Sequence, residues 1–207
     1  MVAAGVLASA PGRRGLPAAG WAALAGLLLG LAALFSYPAP WVALSVVCVY
    51  FVRRRAFLNV VTGAAALIPL LLARSAGFNW FEGLEATRRD FAVTVEPDRP
   101  ALLWAALSVL VLLLACGPAL AASARKIWTT PGWPFLVGGV AAVVFALGSG
   151  LARGGMEHAW LPFFPWLLVA AVAPERQAGP PVRSPVLLVA AGAVVAVVIE
   201  AVLATHW

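Results

Sequence analysis

The sequence predicts an all-α protein, a polytopic bundle of about seven transmembrane helices. Two observations carry that expectation. Of 207 residues, 63% are hydrophobic and 11% charged, and the mean hydropathy is +0.98. A soluble domain is about half apolar and about a quarter charged, so this chain cannot cover itself with a water-facing surface. The apolar residues also come in long unbroken Ala/Leu/Val runs, whereas a transmembrane β-barrel shows short alternating segments. Soluble enzymes, disordered proteins, coiled coils and nucleic-acid modules are excluded. The net charge of +6 and the pI near 10.7 are accordingly read as loops facing anionic lipid, with no nucleic acid expected as a partner.

The chain reads as a single domain over residues 1–207. Residues 1–15 form a cytoplasmic N-terminus ending in Arg13 and Arg14. The Ala8-Ser9-Ala10 triplet lies before the first apolar run rather than after it, so no cleaved signal peptide is expected. Seven apolar segments follow: Leu16–Phe35, Trp41–Val52, Phe57–Ala73, Ala101–Ala122, Phe135–Leu151, Trp160–Ala173 and Pro185–Ala204. A hydrocarbon core of about 30 Å needs about 20 helical residues. The second and sixth segments fall short of that and start beside Pro and Trp, so they are either spans extended by their flanks or half-inserted helices; six spans is the alternative count.

Positive charge orients the bundle. A cytoplasmic N-terminus puts Arg13, Arg14, Arg53, Arg54, Arg55, Arg125, Lys126, Arg176 and Arg183 inside, and only Arg74, Arg88, Arg89, Arg99 and Arg153 outside. The expected location is therefore the plasma membrane, multi-pass, with the N-terminus inside and the C-terminus outside. Arg53-Arg54-Arg55 reads as a stop signal and lipid-headgroup patch. Trp41, Trp80, Trp104, Trp128, Trp133, Trp160 and Trp207 lie near span ends, where amphipathic rings anchor.

The outer loop 74–100 is the longest polar stretch. Asn79-Trp80-Phe81-Glu82 has the form of a capping box. Phe78, Phe81, Leu84 and Phe91 recur at near-helical spacing, and Glu85 precedes Arg88 and Arg89 by three and four residues. This spacing predicts a short amphipathic helix over Trp80–Phe91, lying on the outer membrane surface. It is either an anchored loop with salt bridges or a lid whose Arg88 and Arg89 face a phosphate group. A second candidate is the turn between the fifth and sixth spans, where Arg153, Glu157 and His158 cluster: Arg153 holds a lipid phosphate oriented by Glu157, or the two simply pair in a plain loop. Glu200, inside the last span, is an intramembrane acid and a site hypothesis by default. Asn59 and Thr62 read as helix–helix hydrogen bonds. Cys48 and Cys116 read as small buried hydrophobes. His158 and His206 stand alone, and the chain carries no Ser/His/Asp set, Walker loop, CxxC pair or HExxH, so no metal, cofactor or catalytic residue is expected from motifs.

Three stretches carry a family resemblance: Leu31-Ala-Ala-Leu-Phe-Ser-Tyr37 with the following Arg53-Arg54-Arg55; Gly77-Phe-Asn-Trp-Phe-Glu-Gly-Leu-Glu-Ala-Thr-Arg-Arg-Asp-Phe91; and Gly150-Leu-Ala-Arg-Gly-Gly-Met-Glu-His-Ala-Trp-Leu-Pro162. Together they resemble the C-terminal half of actinobacterial GT-C-type integral membrane glycosyltransferases, which use polyprenyl-phosphate sugars on the outer membrane face. Those enzymes carry their catalytic acid in the first outer loop, and Ser36–Pro40 here has no carboxylate. The resemblance therefore implies the part that binds the lipid carrier, not catalytic alone, with the other part upstream, in a separate membrane protein partner, or lost. It implies membrane lipids and a polyprenyl-phosphate sugar as partners, with Arg153, Arg88 or Arg89 on the phosphate. The alternative is a small transporter, with Glu200 carrying a coupled proton, or a structural membrane subunit.

Overall fold

The computed structural model describes residues 1–94, 100–125, 132–150, 163–172, 187, 190–194 and 197. Among these residues every regular element is helical and there is no strand. The order is α1 (Val2–Ala8), α2 (Leu16–Phe35), a 3-10 turn (Ala39–Val42) running into α3 (Ala43–Val52), α4 (Leu58–Ser75), α5 (Trp80–Thr94), α6 (Ala101–Arg125), α7 (Trp133–Ser149) and α8 (Phe164–Val172). The all-α class is therefore as expected, and the boundaries of α2 coincide with the first apolar run. By length and composition α2 and α4 can cross a membrane; Ala39–Val52, Ala101–Leu114 and Trp133–Ser149 are shorter apolar helices.

Local sequence sets the ends. Pro17 sits in the first turn of α2, where a missing N–H costs nothing. Pro38 follows the α2 terminus and opens the 3-10 turn. Within α6, Gly117 has φ 54° and ψ −149°, a left-handed break that glycine tolerates and that the following Pro118 favours by disallowing helix before it.

The helices associate through small residues. α2 and α4 form the closest pair. Ala18, Ala22, Ala25, Gly26, Gly30 and Ala33 are the buried face of α2. A methyl placed on Gly26 meets the Thr62 carbonyl oxygen at 2.1 Å, and one on Gly30 meets that of Ala66 at 2.3 Å. The two backbones thus touch, as small residues four apart allow. The same device joins α7 to α3, where a methyl on Gly138 meets Ser45 Oγ at 2.0 Å. Meanwhile Leu16 is 88% exposed and Phe35 87%. On α2, then, small residues form the buried face while Leu24, Leu28 and Leu31 face outward, the reverse of a helix folded against water.

One hydrogen-bond group fixes three helices. The Thr62 hydroxyl lies 3.0 Å from the Ala22 carbonyl oxygen, to which it donates, and 3.2 Å from the Tyr50 hydroxyl. Tyr50 is fully buried. Thr62 therefore ties α4 to α2 and α3, the role its sequence position suggested. Thr62→Val is expected to destabilise the bundle by about 1 kcal/mol, seen as a lower midpoint in a denaturing-detergent titration.

One feature differs from expectation. Residues 2–8 form a helix, with Val2, Ala4 and Ala8 buried against α2 and α3, where the sequence reading had only a short uncharged tail. Seven residues carry too little periodicity to be called, and packing, not propensity, holds so short a helix. The second and sixth segments are indeed short: α3 has 10 residues and α8 has 9. Of the seventh segment, 187, 190–194 and 197 are helical and the rest lies outside the described residues.

Candidate functional site

α5 is the helix that the capping box predicts, extended to Thr94. The Asn79 side chain accepts from the Phe81 N–H at 3.2 Å, satisfying a donor of the first turn. Its amide nitrogen also donates to Glu82 at 2.7 Å, so Glu82 meets the Asn79 side chain rather than a backbone N–H. Glu85 and Arg89 form an ion pair on the exposed side of α5, with side chains 63% and 77% exposed.

Trp80 fastens α5 to the bundle. Its indole N–H donates to the Ala33 carbonyl at 2.8 Å. Ala33 lies in the last turn of α2, whose carbonyls have no partner within the helix. The Tyr37 ring meets Trp80 edge-on at 5.2 Å, and Phe81 does the same from the other side at 5.1 Å. Trp80, Gly83, Leu84, Thr87 and Phe91 are the half-buried face, while Phe81 is 73% exposed. The inward register thus runs through Trp80 rather than Phe81, because the indole can reach an orphan carbonyl and a phenyl ring cannot. Trp80→Phe is expected to loosen α5, read as faster amide hydrogen exchange over 80–94 with little change in α2.

Beneath this anchor lies a groove between α2 and α4, with a volume of about 380 Å³. Leu29, Ala66, Leu67, Leu70 and Leu71 line it; Trp80 and Phe81 form its roof; Arg74 stands at its edge in the last turn of α4. Arg74 is the only charged side chain lining the groove, since Asn79, also at the edge, is already bonded. No hydrogen bond or ion pair holds the Arg74 guanidinium among the described residues. An apolar trough with one unengaged guanidinium at its mouth can take an amphipathic molecule, a chain in the groove and an anion on the arginine.

Of the residues singled out in the sequence, Arg88 and Arg89 are both on α5 and exposed, and neither lines the groove. Arg89 is engaged by Glu85; Arg88 is not engaged among the described residues. Arg153, Glu157, His158 and Glu200 lie outside the described residues. In the sequence Arg74 stands only as one of five cations expected outside. The signal for it was there: a lone arginine closing an apolar helix, followed three residues later by Gly77, whose φ of 93° turns the chain back over the groove. Among the described residues no three His, Cys, Asp or Glu side chains are grouped so as to hold a metal.

Comparison of the chain with family models, with curated proteins and with solved structures yields no match.

Proposed function

We propose that the chain is an integral plasma-membrane protein of about seven spans that binds the phosphate end of a lipid carrier on the outer face. The N-terminus is cytoplasmic and the C-terminus outside. In this reading it is similar to the carrier-binding part of a GT-C glycosyltransferase, does not transfer sugar alone, and works with a membrane protein partner that supplies the catalytic acid.

The membrane reading is supported by the inside-out distribution of side-chain size. The apolar windows of α2 and α4 are only 33% and 28% buried. In water such exposed apolar faces favour association; in lipid they are ordinary. Charge supports the orientation. The α5 end carries Arg74, Arg88 and Arg89 against Glu82, Glu85 and Asp90, which cancel. The opposite end carries Arg13, Arg14, Arg53, Arg54 and Arg55 with no acid among the described residues. That asymmetry fits a cytoplasmic arginine end.

The single observation that carries the ligand reading is the apolar groove under α5 with unengaged Arg74 at its mouth. The isoprenoid chain occupies the groove and the phosphate meets Arg74. Arg88, about two turns beyond the roof, faces the headgroup; Arg153, Glu157 and His158 are proposed to complete the phosphate end. The test is binding of a polyprenyl monophosphate and of the matching neutral polyprenol to the full chain in lipid nanodiscs. The phosphate is expected to bind at least about tenfold more tightly, a difference of about 1.4 kcal/mol. Equal binding of the two removes the phosphate reading and favours the alternative, a small transporter or structural membrane subunit.

A further inference from the structure

We propose that the end of the bundle opposite α5 carries a second, built site for the phosphate of an anionic lipid headgroup. Arg14, Arg53, Arg54 and Arg55 line an open cavity of about 370 Å³ floored by Phe57 and Leu58. The acids among the described residues, Glu82, Glu85 and Asp90, are all on α5 at the other end. Four arginines therefore line one cavity with no carboxylate beside them among the described residues. Like charges so placed repel, the more so next to apolar surface, and a multi-oxygen anion relieves that repulsion and matches the guanidinium fork.

The site is held, not merely charged. Arg53 donates through Nη1 to the Val6 carbonyl at 2.9 Å and to Ser9 Oγ at 3.0 Å. Arg55 donates through Nη1 to the Ala8 carbonyl at 3.4 Å and to the Arg13 carbonyl. These acceptors lie at the end of α1 and in the turn after it, so packing of α1 fixes both arginines and leaves the remaining donors of each fork available. The guanidinium groups of Arg14 and Arg54 make no hydrogen bond or ion pair among the described residues. Arg54 has φ 54°, and is the one non-glycine residue with positive φ among those described. Glycine suits that conformation better, so an arginine held there points to a use for its side chain. Next to it, Arg13 lies over the Trp21 ring at 5.1 Å, and its Nη1 is buried without a hydrogen-bond partner.

The source of the phosphate is a lipid because of what flanks the cavity. Leu16 is 88% exposed and Phe57 62%. These apolar surfaces suit an acyl chain and would be poor neighbours for a hydrated free ion. The inference goes beyond the proposed carrier site, which lies at the other end and uses Arg74.

The test uses the full chain in non-ionic detergent, with native mass spectrometry to follow binding of phosphatidylglycerol and phosphatidylcholine. Phosphatidylglycerol is expected to bind at least about tenfold more tightly. Arg14→Ala/Arg54→Ala is expected to abolish that preference, while polyprenyl monophosphate binding stays unchanged. Arg54→Gly separates site from scaffold: it is expected to weaken phosphatidylglycerol binding while leaving thermal stability equal or higher. A double variant that keeps the wild-type preference overturns the proposal. So does Arg54→Gly if it binds normally, or if stability falls along with binding. Displacement of phosphatidylglycerol by excess inorganic phosphate would point to a soluble anion and overturn the assignment to lipid.

Discussion

Arg74→Ala is expected to weaken binding of a polyprenyl monophosphate by about 10- to 150-fold and to leave binding of the neutral polyprenol unchanged. The magnitude follows from losing a charge-assisted contact, about 1.5–3 kcal/mol, converted at 1.4 kcal/mol per tenfold. The selectivity follows from the groove: its walls are aliphatic, so chain binding does not involve the guanidinium. The Arg74 guanidinium makes no hydrogen bond or ion pair among the described residues, and its loss should cost the fold little. Arg74→Lys keeps the charge but not the fork, and an intermediate loss is expected. Isothermal titration in nanodiscs measures all three. Loss of both ligands in Arg74→Ala would mean that the arginine shapes the groove instead of meeting the phosphate.

Gly26→Leu is expected to part α2 from α4. Even a single methyl at Gly26 comes within 2.1 Å of the Thr62 carbonyl oxygen, and 2.8 Å of the Ala65 side chain. Backbone cannot yield as a side chain can, so the helices must separate. Separation also breaks the Thr62–Ala22 hydrogen bond and opens the floor of the groove, which Gly30 and Ala66 form. Overpacking typically costs about 1–3 kcal/mol, and here it is joined by the lost hydrogen bond. With about 2–4 °C per kcal/mol for a chain of this size, the melting temperature is expected to fall by roughly 5–15 °C. Gly63→Leu is the control. It is on α4 with nothing within 4 Å of an added methyl, and its effect should be small. A thermal scan of the detergent-purified variants decides it.

Much of the fold was legible because apolar runs map directly onto helices. Leu16–Phe35 is bounded by Pro17 and by the Ser36–Pro38 stop, and both ends were readable. α5 was readable from Asn79 and Glu82, since capping chemistry is local. The packing was harder to read. Gly26 and Gly30 are four apart, with Ala18 and Ala22 continuing the row, a pattern visible in the sequence but indistinguishable from ordinary small residues until a partner helix is known. α1 was invisible because its stability comes from tertiary burial. The site was partly legible: helix α5 was read, but Arg88 and Arg89, the arginines singled out on it, do not line the groove. Arg74 was not singled out, because what distinguishes it is the groove beside it, formed by residues on α2, α4 and α5. Trp80 was read as an interfacial anchor; its bond to Ala33 depends on where α2 ends in space.

In the proposed reading the chain crosses the membrane with the α5 end outside and the arginine end inside. Ala86 on α5 and Ala56 beside Arg55 are both exposed and lie on these opposite ends. With Cys48 and Cys116 replaced by alanine, Ala86→Cys and Ala56→Cys can each be treated with a membrane-impermeant maleimide in intact cells. Labelling of Ala86→Cys in intact cells, with Ala56→Cys labelled only after permeabilisation, is the predicted result. The reverse pattern, or equal labelling of both in a protein recovered from the soluble fraction, would contradict it.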